Sequence, residues 1–271
     1  MTLEEIAEAD RIREAAQSRV VQKEEDRYTL EERDFLKQFG YASRPTVWGT
    51  DPDASPMALI PVAQLFARDV PELPFGEDAD LLQVLWCPFD HPQIHRYRPT
   101  VELRWRRFNS SNLQPRVPPE GAVAGAEHYV PKPCMVDPEP VTEYPDYDVL
   151  PPELLEAIEE WEGDEDSCEY RCSAIAPGWK TGGYGAAWAV ADAMVLTCDC
   201  GAEAVPLLTI ADSEWDSSTS HWMPVEDREH DDAERRSRTF DPVGVRIGRS
   251  YDLQVFHCGR DPRHQPVAVM T

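Results

Sequence analysis

The sequence lacks any run of apolar residues long enough to cross a bilayer. A membrane-spanning helix needs roughly 20 consecutive apolar residues, and every apolar stretch here is broken by charge, proline or glycine well before that length. The first five residues, MTLEE, also lack the basic start and apolar centre of a signal peptide. We therefore expect a cytoplasmic protein without a membrane partner.

Catalytic signatures are missing as well. The chain contains no Gly-x-Ser-x-Gly nucleophile elbow, no His-Glu-x-x-His zinc motif and no dinucleotide-binding fingerprint. The glycines at 178–185 surround Lys180, but their order differs from that of a phosphate-binding P-loop. The sequence therefore identifies no reaction, and a non-catalytic protein is favoured over an enzyme.

Basic residues are few, and lysine is scarce among them. The chain has 51 acidic and 26 basic residues, giving a formal net charge of −25. A field of that sign repels the phosphates of nucleic acids and favours cationic partners, divalent metals or simple solubility. We expect no nucleic-acid partner, and the partner that the charge favours is a protein with a basic surface.

The first 40 residues predict two helices. Thr2 with Glu5, and Thr29 with Glu32, fit the capping box, in which a hydroxyl and a glutamate satisfy the first backbone N–H groups. The second helix is predicted to end at residues 39–40, where Gly40 suits a C-terminal cap. The first helix carries an apolar stripe that packs on the body or docks a partner. Its members are Leu3, Ile6, Ala9, Ile12, Ala16 and Val20.

Two short stretches resemble each other and organise the rest of the chain. Residues 82–87 read LQVLWC and residues 253–258 read LQVFHC. Each follows a second apolar run, at 59–64 and 207–212 respectively. Apolar runs of this length that are bounded by Pro, Asp and Gly favour strands buried on both faces. The pattern predicts a duplicated pair of strands, although core strands use few residue types and short matches also arise by chance.

This repeat divides the chain into four regions. Residues 1–44 form an N-terminal helical extension, and residues 45–130 form the first half. Residues 131–175 form a Pro-rich and acidic connector with a short helix, and residues 176–271 form the second half.

The connector helix is predicted to be amphipathic and acidic. Its apolar positions are Leu154, Leu155, Ile158 and Trp161, and its other positions carry five glutamates. The acidic stretch at 153–169 is therefore a candidate surface for a basic partner.

Segments of both halves carry a resemblance to a known family. The chain resembles bacterial YwqG-like proteins over roughly residues 56–260. The matching segments are 61–65, 82–86, 178–184 (GWKTGGY), 198–201 (CDCG), 207–216 and 253–258. The resemblance implies an α+β fold rich in antiparallel sheet, with two related halves, and it implies no reaction. Some members look like immunity proteins or accessory proteins of toxin systems.

The strongest chemical signal in the sequence is a set of potential metal ligands. Seven cysteines, an odd number, in a chain without a signal peptide indicate reduced thiols or metal ligands. Cys198, Cys200 and Cys258 supply three ligands for a tetrahedral zinc ion, and the fourth is His264, His257 or none. Many YwqG-like relatives have a second cysteine shortly after the position of Cys258, where this chain has residues 259–264.

Other interpretations of the cysteines stay open. Cys168 with Cys172, and Cys87 with His91, are alternative ligand pairs. Reduced cysteines in strands are also commonly plain small hydrophobes.

Two further groups are candidates for a ligand pocket. The glycine-rich segment offers Trp179, Lys180, Gly182, Gly183 and Tyr184, because glycines let backbone N–H groups approach a ligand closely. The second group is Asp212, Glu214 and Asp216. If these three lie on a strand, they share one face and can bind a divalent ion or act in acid–base chemistry. Alternatively they form a polar strand end that leads into the loop at 217–220.

Three classes of function follow from these observations. A protein-binding module, such as an immunity protein, fits the charge and the missing catalytic motifs. A metal-dependent hydrolase requires Asp212 and Glu214 to converge with His221 or His230. A small-molecule-binding protein requires an apolar cavity between the halves, near Trp179.

Overall fold

The structure is a computed structural model, and it confirms the α+β class with N-terminal helices and mostly antiparallel sheet. The description covers residues 2–19, 27–37, 58–89, 99–112, 125, 127–163, 169–184, 195–229, 240–248 and 250–270. The helices are α1 (Leu3–Gln17), α2 (Leu30–Leu36), α3 (Pro152–Glu162) and α4 (Tyr170–Ala174). The strands are β1 (Ile60–Phe66), β2 (Leu81–Trp86), β3 (Val101–Arg106), β4 (Lys180–Thr181), β5 (Ala204–Ile210), β6 (Leu253–Cys258) and β7 (Val267–Met270).

The strands form two antiparallel sheets, ordered β1-β2-β3 and β4-β5-β6-β7. In the first sheet Leu65 lies opposite Leu82, and in the second Ile210 lies opposite Leu253. Both pairs shift register at the same point, directly after a proline of the first strand. A bulge at that point explains how Pro, which has no N–H to donate, is accommodated in each strand. A shared ancestor of the two halves would account for this correspondence, and the duplication itself stays a prediction.

One hydrophobic core joins the two sheets. Every residue of β6 is buried, as expected for an apolar strand covered on both faces. Trp86 of β2 is fully buried and donates its Nε1–H to the carbonyl of Tyr129 at 2.9 Å. Trp105 of β3 packs against the same core and donates to the carbonyl of Pro262, beyond β6, also at 2.9 Å. The Trp105 hydrogen bond therefore links the first sheet to the loop after β6, in addition to the apolar contact between the sheets.

The first helix packs on the body. Its residues Ile6, Ala9 and Ala16 are buried, and Arg13 forms a two-bonded ion pair with Glu127. Thus most of the apolar stripe is used internally, while its last member, Val20, lies outside the described residues.

The second helix is exposed along its length. Both predicted capping boxes form, at the starts of α1 and α2. No residue of α2, all of which are described, is buried. The helix ends at Leu36, and the predicted end at 39–40 lies outside the described residues.

Candidate metal centre

Two tight turns beside β5 and β6 carry the four predicted metal ligands. The first turn precedes β5: the Gly201 N–H donates to the Cys198 carbonyl at 2.8 Å, and the Cys198 N–H donates to the Ala202 carbonyl at 2.8 Å. Gly201 has φ +80°, a conformation that favours glycine. This geometry turns the chain sharply between Cys198 and Cys200 and brings both thiols to one side.

The second turn follows β6, whose last residue is Cys258. The Arg260 N–H donates to Cys258 Sγ at 3.4 Å, which is a typical way to orient a ligand sulfur. The His264 N–H donates to the Asp261 carbonyl at 3.1 Å, so the chain folds back toward Cys258. Antiparallel pairing of β5 and β6 places the two turns at the same end of the sheet, because Ala204 lies opposite Cys258.

The four side chains converge on one point. Four ligand atoms lie within 4.8 Å of one another, one each from Cys198, Cys200, Cys258 and His264. Cys198 Sγ is 3.6 Å from His264 Nδ1, and Cys200 Sγ is 3.5 Å from Cys258 Sγ. Sulfurs bound tetrahedrally to zinc at about 2.3 Å lie about 3.8 Å apart, so the spacing fits a metal ion such as zinc.

The environment of one thiol, that of Cys258, also suits a metal. A backbone N–H of Asp261 donates to Cys258 Sγ, and this hydrogen bond does most to lower the pKa of that thiol to about 6. The thiolate is the form that binds zinc, so Cys258 is prepared for coordination at neutral pH. Cys198 and Cys258 are buried, whereas Cys200 and His264 lie closer to solvent.

The other residues that the sequence offers as metal ligands lie outside this cluster or outside the described residues. His257 is buried beside Cys258, but its Nδ1 lies 2.9 Å from the Cys258 carbonyl oxygen, and it is not part of the converging group. Cys172 Sγ lies 3.8 Å from a carboxylate oxygen of Glu169. Its proposed partner Cys168, and His91 of the other alternative pair, lie outside the described residues.

The glycine-rich segment binds the side chain of Glu143, a residue of the connector. Glu143 accepts hydrogen bonds from Lys180 Nζ at 2.6 Å and from the backbone N–H groups of Tyr184 and Ala176 at 2.8 Å. A Cβ at Gly183 would lie 2.2 Å from a carboxylate oxygen of Glu143, so this close approach requires glycine. Among the described residues, Lys180 Nζ and the backbone N–H groups of Tyr184 and Ala176 thus bind a carboxylate of the protein itself. No sequence motif pointed to Glu143.

A second carboxylate, that of the partly buried Glu214, binds the backbone of Trp179. Glu214 accepts a hydrogen bond from the Trp179 backbone N–H at 3.3 Å, and burial raises its pKa to about 7. Asp252 likewise has its pKa raised to about 6, by burial and then by the charge of Asp212. Trp179 Nε1 donates to the Ala211 carbonyl at 2.9 Å, which fixes the position of the ring.

The acidic triplet does not lie on a strand, so of the two interpretations the polar segment leading into the loop at 217–220 fits the structure and the shared carboxylate face does not. Strand β5 ends at Ile210, and the chain beyond it is irregular. Asp216 instead closes a turn: although burial raises its pKa, hydrogen bonds from Ser218 and Thr219 lower it below the ordinary value. Within the described part of the chain the triplet forms no group able to hold a metal ion, and His230 lies outside that part.

Fold and site together define an α+β protein with a cluster of three cysteines and one histidine that can hold a metal ion such as zinc. Comparisons with models of protein families, with curated proteins and with solved structures found no match to the chain. The YwqG-like resemblance therefore stays a prediction. Among the described helices, none is both long and apolar enough to cross a membrane.

Proposed function

We propose that the protein binds one zinc ion through Cys198, Cys200, Cys258 and His264. The observation that carries the proposal is the convergence of these four ligand atoms within 4.8 Å. Three thiolates and an imidazole are a ligand set that zinc prefers in tetrahedral sites.

The role proposed for this ion is structural. Four protein ligands complete a tetrahedral shell and leave no position for a water or a substrate, which is the pattern of structural zinc sites. The ion would cross-link the turn before β5 to the loop between β6 and β7. Such a link stabilises the folded state because the unfolded chain does not present the four ligands together.

Metal analysis of the purified protein tests this proposal. Under reducing conditions we expect about one zinc per chain by mass spectrometry of the metal, because a complete Cys₃His site binds zinc tightly at neutral pH. Cys200→Ser removes one ligand and should lower the zinc content, whereas Cys172→Ser, outside the cluster, should not. Metal-free wild-type protein after purification in zinc-containing medium would contradict the proposal.

We propose in addition that the protein is a non-catalytic, protein-binding module, as expected for a YwqG-like and immunity-like protein with a basic partner. The net charge of −25 and the glutamates of α3 support this assignment. The alternatives are a metal-dependent hydrolase and a small-molecule-binding protein. They have less support, since the complete Cys₃His shell has no open position and Glu143 occupies the glycine-rich segment.

Affinity capture at low ionic strength tests the binding function. A partner held by opposite charge should elute as the salt concentration rises, because salt screens exposed charges. Mass spectrometry then identifies the eluted protein. If no partner is retained, and the purified protein hydrolyses a substrate and loses that activity in Asp212→Asn, the hydrolase is correct instead.

A further inference from the structure

Helix α3 presents an apolar stripe to solvent. Leu154, Ile158 and Trp161 are spaced i, i+4 and i+7, so they lie along one side of the helix. A surface helix normally buries such a stripe, yet no residue of α3, all of which are described, is buried. Leu154 is 51% exposed and Trp161 is 46% exposed, while Ile158 between them is partly buried. An exposed apolar stripe on a well-formed helix is a feature of protein interaction sites.

Polar contacts near its C-terminal end fix the helix in this orientation. Glu162 accepts hydrogen bonds from the Tyr147 hydroxyl and from the Tyr170 backbone N–H. The rings of Tyr147 and Tyr170 pack with centroids 5.2 Å apart, and Arg171 binds the buried carboxylate of Asp146 through two hydrogen bonds. These contacts act at one end of the helix, so the orientation does not depend on burial of Leu154 or Trp161.

A groove adjoins the stripe. It has a volume of about 680 Å³ and lies between α3 and the 3₁₀ turn at Tyr147–Val149. Its lining residues are Tyr147, Leu150, Leu155, Glu159, Glu162 and Glu169. The lining thus combines apolar side chains with three carboxylates. A groove of this composition suits a partner that is apolar on one side and basic on the other.

The charge around the stripe has a single sign. Helix α3 contains five glutamates and no lysine or arginine. Hydrogen bonding from the Tyr147 hydroxyl does most to lower the pKa of Glu162, so this groove carboxylate stays ionised at neutral pH. Acidic partners are repelled from such a surface, and basic partners are attracted to it.

We propose that the stripe of α3 and the adjoining groove dock a basic amphipathic helix of a protein partner. The proposal rests on the protein-binding function proposed above and names its site and the class of its partner. A helix is the expected form, because apolar anchors one turn apart on the partner can pack against the stripe while its basic residues meet the glutamates. The stripe supplies affinity by apolar burial, and the glutamates supply specificity.

A pair of synthetic peptides provides the probe. One peptide contains leucine and lysine arranged so that the leucines share one helical face, and the other is its scrambled counterpart with the same composition and charge. At physiological ionic strength the wild-type protein should bind the amphipathic peptide about tenfold more tightly than the scrambled one, measured by fluorescence anisotropy. The same peptide should slow amide exchange in α3.

Substitutions in the stripe test whether the peptide binds at α3. Leu154→Glu and Trp161→Ala should abolish the preference between the peptides without lowering the midpoint of thermal unfolding, because both side chains are exposed. Val225→Glu is the matched control, since Val225 is 68% exposed outside α3, and it should keep the preference. Equal affinity of wild-type protein for the two peptides, or a preference that survives in Leu154→Glu, would overturn the docking site.

The capture experiment separates this inference from the broader function. If Leu154→Glu loses a salt-eluted partner that wild-type protein retains, both proposals are supported. If wild-type and Leu154→Glu proteins retain the same partner equally, the protein-binding function stands and the α3 site is wrong.

Discussion

Burial raises the pKa of one carboxyl group, that of Glu214, well above the ordinary value for a glutamate. The side chain is partly buried and accepts a hydrogen bond from the Trp179 backbone N–H, and burial raises its pKa to about 7. An unfolded chain ionises a glutamate near its ordinary pKa of about 4.3. Between these values the folded state retains a proton that the unfolded state has lost. Stability should therefore fall as pH rises from about 4 to about 7, by about 3 kcal/mol at most.

The variant Glu214→Gln isolates this effect. Glutamine keeps an oxygen that can accept from Trp179 but does not ionise, so the cost of burying a charge disappears. The free energy of unfolding of the variant, relative to wild type, should rise by about 3 kcal/mol between pH 4 and pH 8 in urea titrations. Glu153→Gln, at an exposed position of α3, is the control and should show little change with pH. A Glu214→Gln difference that is constant across pH would contradict the assignment.

At the scale of elements, the turn before β5 determines where the cysteine pair points. Gly201 has φ +80°, and a Cβ placed there meets no atom within 4 Å. Replacing Gly201 by alanine should therefore cost only backbone strain, about 1 kcal/mol. The same strain would displace Cys200 and weaken zinc binding. Gly76→Ala is the matched control, because its Cβ also meets open space and its φ is not positive.

Urea unfolding and zinc titration measure the two consequences separately. We expect Gly201→Ala to lose stability and to bind zinc less tightly than wild type, whereas Gly76→Ala should match or slightly exceed wild type in stability. Equal zinc affinity in the two variants would show that the turn does not position the ligands.

Some elements could be predicted from sequence because their determinants are local. The capping boxes at Thr2 and Thr29 form as predicted, since the residues that interact are three positions apart. The strands at 81–86 and 253–258 have apolar runs that fit burial on both faces. By contrast, the sequence leaves two interpretations open for the chain after Ile210, because alternation of acidic and other residues there imitates a strand period, and the structure shows an irregular segment.

The candidate sites also differ in whether the sequence alone could predict them. The three cysteines of the Cys₃His cluster could be predicted because cysteine is rare and the close pair at 198 and 200 is a recognisable signal, whereas the sequence left the fourth member open between His264, His257 and none. Glu143 could not, since it reaches Lys180 across 37 positions of sequence and is one acidic residue among 51. Its role depends on how the connector lies against β4, which is a property of the tertiary fold.

At the scale of the whole molecule, the loop that carries His264 contacts both sheets. Pro262, in this loop, accepts from Trp105 of β3 at 2.9 Å, and Gln265 Nε2 donates to the carbonyl of Val101 at 3.3 Å. The same loop joins β6 to β7 in the second sheet. Order imposed on the loop by a metal ion should therefore stabilise both sheets together.

Removal of the metal tests this coupling. With zinc bound, thermal unfolding should be one cooperative transition, and a chelator should lower its midpoint by on the order of 10 °C, because the binding energy of the ion is part of the folding energy. Both sheets should shift together when far-ultraviolet circular dichroism and tryptophan fluorescence are followed in parallel. The control is Cys200→Ser, whose midpoint should already be low and should not respond to the chelator. Two separate transitions, with only one of them sensitive to the chelator, would show that the metal stabilises the second sheet alone.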